Sequence, residues 1–515
     1  MRMFLLISWA KAAAPRMPHD KAMKTSISSP STSSETCRPA LRTARPIAAG
    51  LTAATLLLTG CASVGEVEPH TNALDPAIVG LSEGSASPAV EAGWWEAFKE
   101  PALDELVRKA LADHPSLQAA AARVEGARAQ SAGARANTRP QLNGTLDVTR
   151  ERFSDGGLEP PTLAGTTATT GTLQLDASWE VDFFGRNRAA LQAALGTERA
   201  AVAEAEAART VLASSVARSY FELARLQAQR EVAERTLAQR TNILELIRQR
   251  VRSGLDTNVE LRQGEGSLPE IRQQLEALDE QMAATRHALA ALTVQPPNAL
   301  DALTPHLRVV QAMPLPAELP VDLLARRADV EAARDRVEAA MQDLKAARAE
   351  FFPSVNLAAF AGFGAVGLEN LVEAGSRQYG VGPALHLPIF DAGRLRANYK
   401  GRAADVDAAI SAYNAAVLDA VREVADQISA LSSIDRQQRE QVAAQRAAES
   451  AFELATQRYE AGLATYLTVL SAETNVLAQR RSGADLQARS LDAQVALIRA
   501  LGGGYTAPTE AEHSR

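Results

Sequence analysis

The sequence predicts a mainly α protein with a membrane β-barrel component, in which long antiparallel coiled-coil hairpins carry four strands per chain. Three observations lead there. Most of the chain is written twice. Two segments in each half alternate apolar and polar side chains. A helical pattern runs from residue 187 to about 252 without a proline.

The repeat sets the frame. Arg123-Val124-Glu125 returns as Arg336-Val337-Glu338, and Ala134-Arg135-Ala136 with Pro140 returns as Ala347-Arg348-Ala349 with Pro353. Gly185-Arg186 returns as Gly393-Arg394. Arg250, Gly254, Leu255 and Thr257 return as Arg458, Gly462, Leu463 and Thr465. The spacing of roughly 210 residues exceeds the roughly 20–50 of stacked solenoid repeats, so it marks a duplicated half.

Residues 1–60 read as a signal peptide, with Met17 and Met23 as alternative starts to Met1. Arg38, Arg42 and Arg45 precede an apolar run from Ile47 to Leu58. A basic region, a short apolar core and small residues before a cut are secretory features. Leu58-Thr59-Gly60-Cys61 resembles a bacterial lipobox, which makes Cys61 the lipidated first residue of the mature chain. Ala62 after it resembles outer-membrane sorting. The other cysteine, Cys37, lies in the discarded part, so neither a disulfide framework nor a cysteine metal site is expected. The expected cofactor is none beyond this covalent lipid, and no metal site is expected because the seven histidines lack ligand spacing.

Aromatic residues are 4% of the chain and alanine is abundant, which favours helices packed closely through small side chains. The net charge of −7 gives no footprint for nucleic acid. After the leader no run of about 18 apolar residues occurs, so a crossing of the membrane must use strands closed into a barrel.

Residues 61–100 form a lipidated linker rich in small residues. The first repeat spans 101–300. A helix from Pro101 to about Ala136 is expected to break at Asp113-His114-Pro115, because a proline disfavours helical geometry in the residue before it. Leu142, Gly144, Leu146 and Val148 then alternate with Asn143, Thr145, Asp147 and Thr149. After a polar loop over about 151–171, Leu173, Leu175, Ala177, Trp179, Val181 and Phe183 interleave with Gln174, Asp176, Ser178, Glu180 and Asp182. Period two means strands with one apolar and one polar face, here at about 141–150 and 172–184. A run of about 11 residues fits a tilted strand across a bilayer. Asp176, Glu180 and Asp182 then face a water-filled lumen and favour cations.

A helical hairpin follows at about 187–294. Its first helix, on the order of 95 Å long, has apolar residues at three- and four-residue steps. Pro269 falls early in the second and should bend it. The second repeat, 301–505, carries strands at about 354–362 and 378–390 and a hairpin at about 392–501. Residues 506–515 are an expected disordered tail. At both hairpin turns the glycine can end a helix in the left-handed conformation. Arg250 and Arg458 sit near the negative end of a helix dipole, and Thr257 and Thr465 can cap the next helix.

Four strands cannot close a membrane barrel, for which about eight are the minimum. An open sheet edge in lipid leaves backbone groups unpaired at several kcal/mol each. Several chains must therefore share one barrel, with the hairpins continuing it as a tube.

At this point the sequence resembles the TolC-like outer membrane factors of tripartite efflux pumps, in their NodT-type lipoprotein branch. The resemblance covers nearly all of residues 61–505. It is carried by Trp94-Trp95-Glu96-Ala97-Phe98, by Ser178-Trp179-Glu180-Val181-Asp182-Phe183-Phe184-Gly185-Arg186, and by the run from Leu319 to Asp329. Ala349-Glu350-Phe351-Phe352-Pro353, Leu387 to Arg394, Arg458 to Leu463 and Ala500 to Gly504 add to it. Ala328 and Tyr505 depart from the family's usual Pro and Trp. The resemblance implies a homotrimer with a twelve-stranded barrel, a helical periplasmic tunnel and passive export of small molecules such as drugs. The implied partners are a periplasmic adaptor and an inner-membrane transporter of the resistance-nodulation-division type. Type I protein secretion or metal efflux is the alternative. The turns around Gly254 and Gly462 would be the tips that meet the adaptor. Inward acidic rings close such ducts, and Glu449, about three turns before Gly462, is the gate candidate; a solvated surface glutamate is the competing reading.

Two rivals are weaker. Gly362-Phe363-Gly364-Ala365-Val366-Gly367 matches a dinucleotide-binding pattern, but without the βαβ setting that gives it meaning, and a surface loop is expected there. No nucleophile–base grouping supports an enzyme, so no catalytic residue is assigned. A purely structural coiled coil leaves the alternating strands unexplained.

Overall fold

The computed structural model describes residues 68–81, 90–156, 160–307 and 321–507. Cys61, the leader and residues 508–515 lie outside them. Two proline-started helices come first, α1 (Pro101–Asp113) and α2 (Pro115–Ala136). The break falls at His114, whose ring nitrogen Nδ1 accepts from the Ser116 N–H and caps α2. Strands β1 (Gln141–Arg152) and β2 (Thr167–Val181) lead into α3 (Arg186–Arg252) and α4 (Asn258–Leu292). The series then recurs as α5 (Ala328–Ala349), β3 (Ser354–Val366), β4 (Arg377–His386), α6 (Arg394–Glu460) and α7 (Tyr466–Ala500). The long helices α3 and α6 both have 67 residues, and α4 and α7 both have 35. Helix α5 was not drawn from the sequence, although the repeated Arg336-Val337-Glu338 lies inside it.

The strands form one antiparallel sheet in the order β1-β2-β3-β4, so β2 and β3 join the two halves and β1 and β4 are its edges. The strand faces follow the alternation, but the bounds shift. Strand β2 starts at Thr167 and ends at Val181, which leaves Asp182, Phe183 and Phe184 beyond it. Strand β4 ends at His386, short of Leu387 and Ile389. Strand β3 runs on to Val366, so Gly362 and Gly364 are paired strand residues rather than a loop. Apolar residues of the odd-numbered face of β4 lie open, with Tyr379, Val381 and Leu385 all exposed.

The long helices pack as a row, α4–α3–α7–α6. The core at its middle gathers Trp94, Trp95 and Phe98 with Leu103 and Val107 of α1, Val216, Tyr220 and Phe221 of α3, Leu289 of α4 and Val495 of α7. The row is thus pinned by the segment that precedes the first repeat. Residues 68–81 are also docked rather than a free linker. The His70 and Thr71 N–H groups donate to Asp407 of α6 at 2.8 and 2.7 Å, and the Leu74 N–H donates to Asn414 at 2.9 Å. Helix α4 continues through Pro269, and no helix among the described residues is long and apolar enough to cross a membrane.

Candidate functional site

The two helical turns lie at the end of the row away from the strands, and the sequence builds each from the same parts. Gly254 and Gly462 take φ values of +72° and +76°, where a β-carbon is strained, which explains glycine at both. The Leu255 N–H donates to the Arg250 carbonyl, and the Leu463 N–H to the Arg458 carbonyl. These bonds satisfy carbonyls left open at a helix end. Each turn then points apolar side chains outward. Leu255 and Val259 are 66% and 62% exposed, and their counterparts Leu463 and Leu467 are 69% and 62% exposed.

Inside the turns the likeness ends. Arg250 donates to Asp256 at 2.9 Å, with the two side chains 11% and 10% exposed. Its guanidinium also lies 4.6 Å from the Tyr459 ring centre, a cation–π contact across the two hairpins. The Tyr459 hydroxyl donates to the same Asp256. Burial works against the Asp256 carboxylate, but the bonds from Arg250 and Tyr459 prevail and hold its pKa below the usual value. Burial, followed by the bond to Asp256, pushes the Tyr459 phenol up. Arg458, by contrast, is exposed. Thr257 forms a full capping box with Glu260, whereas the Thr465 side chain makes no capping bond. The expectation of an equal cap at Thr465 is therefore corrected.

Above the tips, Ile243 and Ile247 of α3 pack with Ala455 and Tyr459 of α6 and with Tyr466 and Val469 of α7. Next to them Arg240 is buried. It donates to Glu473 of α7 at 2.8 Å, to the Ser267 carbonyl at 2.8 Å and to Glu270 of α4 at 3.0 Å. One guanidinium thus ties three helices. Burial pushes the Glu473 carboxyl up. Arg225 continues the α3–α7 tie with Asp485 at 3.1 Å, followed by Arg218 with Asp492. Glu473, Asp485 and Asp492 each lie more than 200 positions from their arginine, so these pairings leave no local signal in the sequence.

Glu449 is partly exposed and bonded within the chain. Arg480 donates to it at 3.0 Å and Gln445 at 3.2 Å, and these bonds, Arg480 first, draw its pKa down. On the sheet, Asp176 and Glu180 share the even-numbered polar face of β2. Arg186 pairs with Glu180, and Asp182, just past the strand, pairs with Arg188 at 3.4 Å and accepts from its backbone N–H.

The pattern of the outer membrane efflux protein family matches residues 106–294 and 319–503. The multidrug resistance outer membrane protein MdtQ of Escherichia coli O6:H1 is 35% identical over 461 residues, covering 87% of this chain and 96% of that one. The pyoverdine export outer membrane protein OpmQ of Pseudomonas putida is 33% identical over 417 residues, covering 80% and 88%. Among solved structures, the outer membrane protein VceC of Vibrio cholerae superposes with a TM-score of 0.77 at 34% identity, covering 81% of this chain and all of that one.

Proposed function

We propose, from the premise that the chain belongs to the outer membrane efflux protein family, that three copies form the exit duct of a tripartite small-molecule efflux system. The observation that carries this reading is the pair of open rows. The sheet ends in unpaired β1 and β4, and the helical row ends in α4 and α6. Backbone groups at a sheet edge cannot stay unpaired in lipid, so β4 of one copy pairs with β1 of the next and the ring closes. Twelve strands enclose a wet lumen on the face that carries Asn143 of β1 and Asp176 of β2, and the helical rows continue it into the periplasm. Transport through it is passive, and the chain serves as a transport component rather than a catalyst.

The tips meet a periplasmic adaptor, which links the duct to an inner-membrane transporter of the resistance-nodulation-division type. Four exposed apolar side chains at the turns support this, since covering one large aliphatic side chain contributes roughly 1.5–3 kcal/mol. Cys61 carries the lipid that adds an anchor to the outer membrane. Glu449 remains the gate candidate; its bond to Arg480 would let it work as a paired group rather than a free charge. The cargo class, small molecules such as drugs or toxic compounds, is supported by the relatives named for multidrug resistance.

A strain lacking the gene tests this. Drug tolerance is expected to return with the wild-type gene and to stay lost with Gly254→Pro or Gly462→Asp, while both variants still form trimers in the outer membrane. Full tolerance in either variant contradicts the docking role of the turns.

A further inference from the structure

The strand register places side chains on the wet face in rows, and one of them is out of character. Residues directly opposite in antiparallel strands point to the same face. One row runs Gln141, Ser178, Ala358 and Gly382, and another runs Thr145, Gln174, Gly362 and Gln378. All are polar or small, as a water-filled lumen requires. The row between them reads Asn143, Asp176, Phe360 and Gly380. Phe360 is the one aromatic in the three rows, and it is 39% exposed.

Its neighbours hold it in a defined pose. A β-carbon at residue 380 would come within 2.6 Å of the Phe360 ring edge, so glycine there lets the ring lie along the wall toward β4. On its other side Phe360 faces Asp176, whose side-chain root lies about 5 Å away in such a pair. Asp176 is oriented by neutral donors. Thr145 donates to one oxygen at 3.3 Å and Gln174 donates to the other. Gln174 is itself fixed by a bond from Gln378 at 3.0 Å. Glu180 and Asp182 have arginine partners, whereas the charge on Asp176 is oriented but not neutralised by these donors.

We propose that Phe360 and Asp176 form a wall site for organic cations that carry an aromatic or apolar body. This deepens the duct reading and rests on it, since it takes the sheet face that carries Asn143 and Asp176 as lumen. The ring face and the carboxylate attract a cation by the same sign of charge, and the ring adds apolar contact for its body. A trimer would present three such sites at one level, a place where passing cargo of this class dwells. Anions of the same size are repelled by both groups.

Single trimers in planar bilayers test this with benzyltrimethylammonium as the probe and benzenesulfonate as its anionic counterpart. The cation is expected to lower the current of the wild-type pore in a concentration-dependent way, and the anion to leave it unchanged. Phe360→Leu keeps apolar volume but removes the ring, and should raise the half-blocking concentration about two- to fivefold with an unaltered open step. Asp176→Asn should raise it at least as much. Normal current steps with equal block in all three proteins, or equal block by the anion, overturn the wall site alone. Purified trimers that give no current steps overturn the duct reading and the wall site with it.

Discussion

The two helical turns of this chain carry the same four residues and do different work. In the first, Arg250 is largely covered, shares Asp256 with Tyr459 and joins one hairpin to the other. In the second, Arg458 lies open. Thr257 closes a capping box, and Thr465 makes no side-chain cap. What both turns keep is the left-handed glycine and the outward leucine. A repeat therefore preserves the outward outline of the turn, while the residues behind it are free to specialise. The first turn has become the one that holds the second in place.

The largest test of this contrast is to remove each arginine. Arg250→Ala leaves the largely covered Asp256 carboxylate without its counter-charge, and should lower stability by about 1–3 kcal/mol. Arg458→Ala should stay within about 0.5 kcal/mol, as exposed substitutions do. Thermal unfolding of the detergent-purified protein reads both, and equal losses would erase the contrast. Acidification should act on the first turn in the same sense. The folded pKa of Asp256 lies below its unfolded value, so its contribution is present above pH about 4 and is lost as pH falls through the folded value. Asp256→Asn should remove that part of the acid sensitivity. A wild-type protein and an Asp256→Asn variant with the same acid profile would contradict it. The smallest effect belongs to the caps. Thr257→Ala should cost about 1 kcal/mol and Thr465→Ala close to nothing, read by the same unfolding experiment.

The sequence made the strands and long helices legible because each obeys a strong period over many residues. Alternation from Leu173 to Val181 and the proline-free run of α3 left little choice. Ends were harder, since Asp182, Leu387 and Ile389 continue the alternation after the ladder has stopped. The turns were found through their duplicated glycines. The division of labour between them was not, because Tyr459 reaches Asp256 from 203 positions away and only packing brings them together. The same holds for Arg240 and Glu473. Residues 68–81 read as a linker from their small side chains, yet backbone N–H groups docked on Asp407 and Asn414 hold them in place. Phe360 was passed over because a single aromatic on the polar side of an alternating strand does not disturb the period.

The proposed duct requires one chain to be an unclosed third of a tube. Native mass measurement of the protein extracted from outer membranes in mild detergent tests this most directly. The account predicts particles of three chains and no folded single chains. A stable, folded single chain as the main species would contradict it, because the free edges of β1 and β4 would then have no partner.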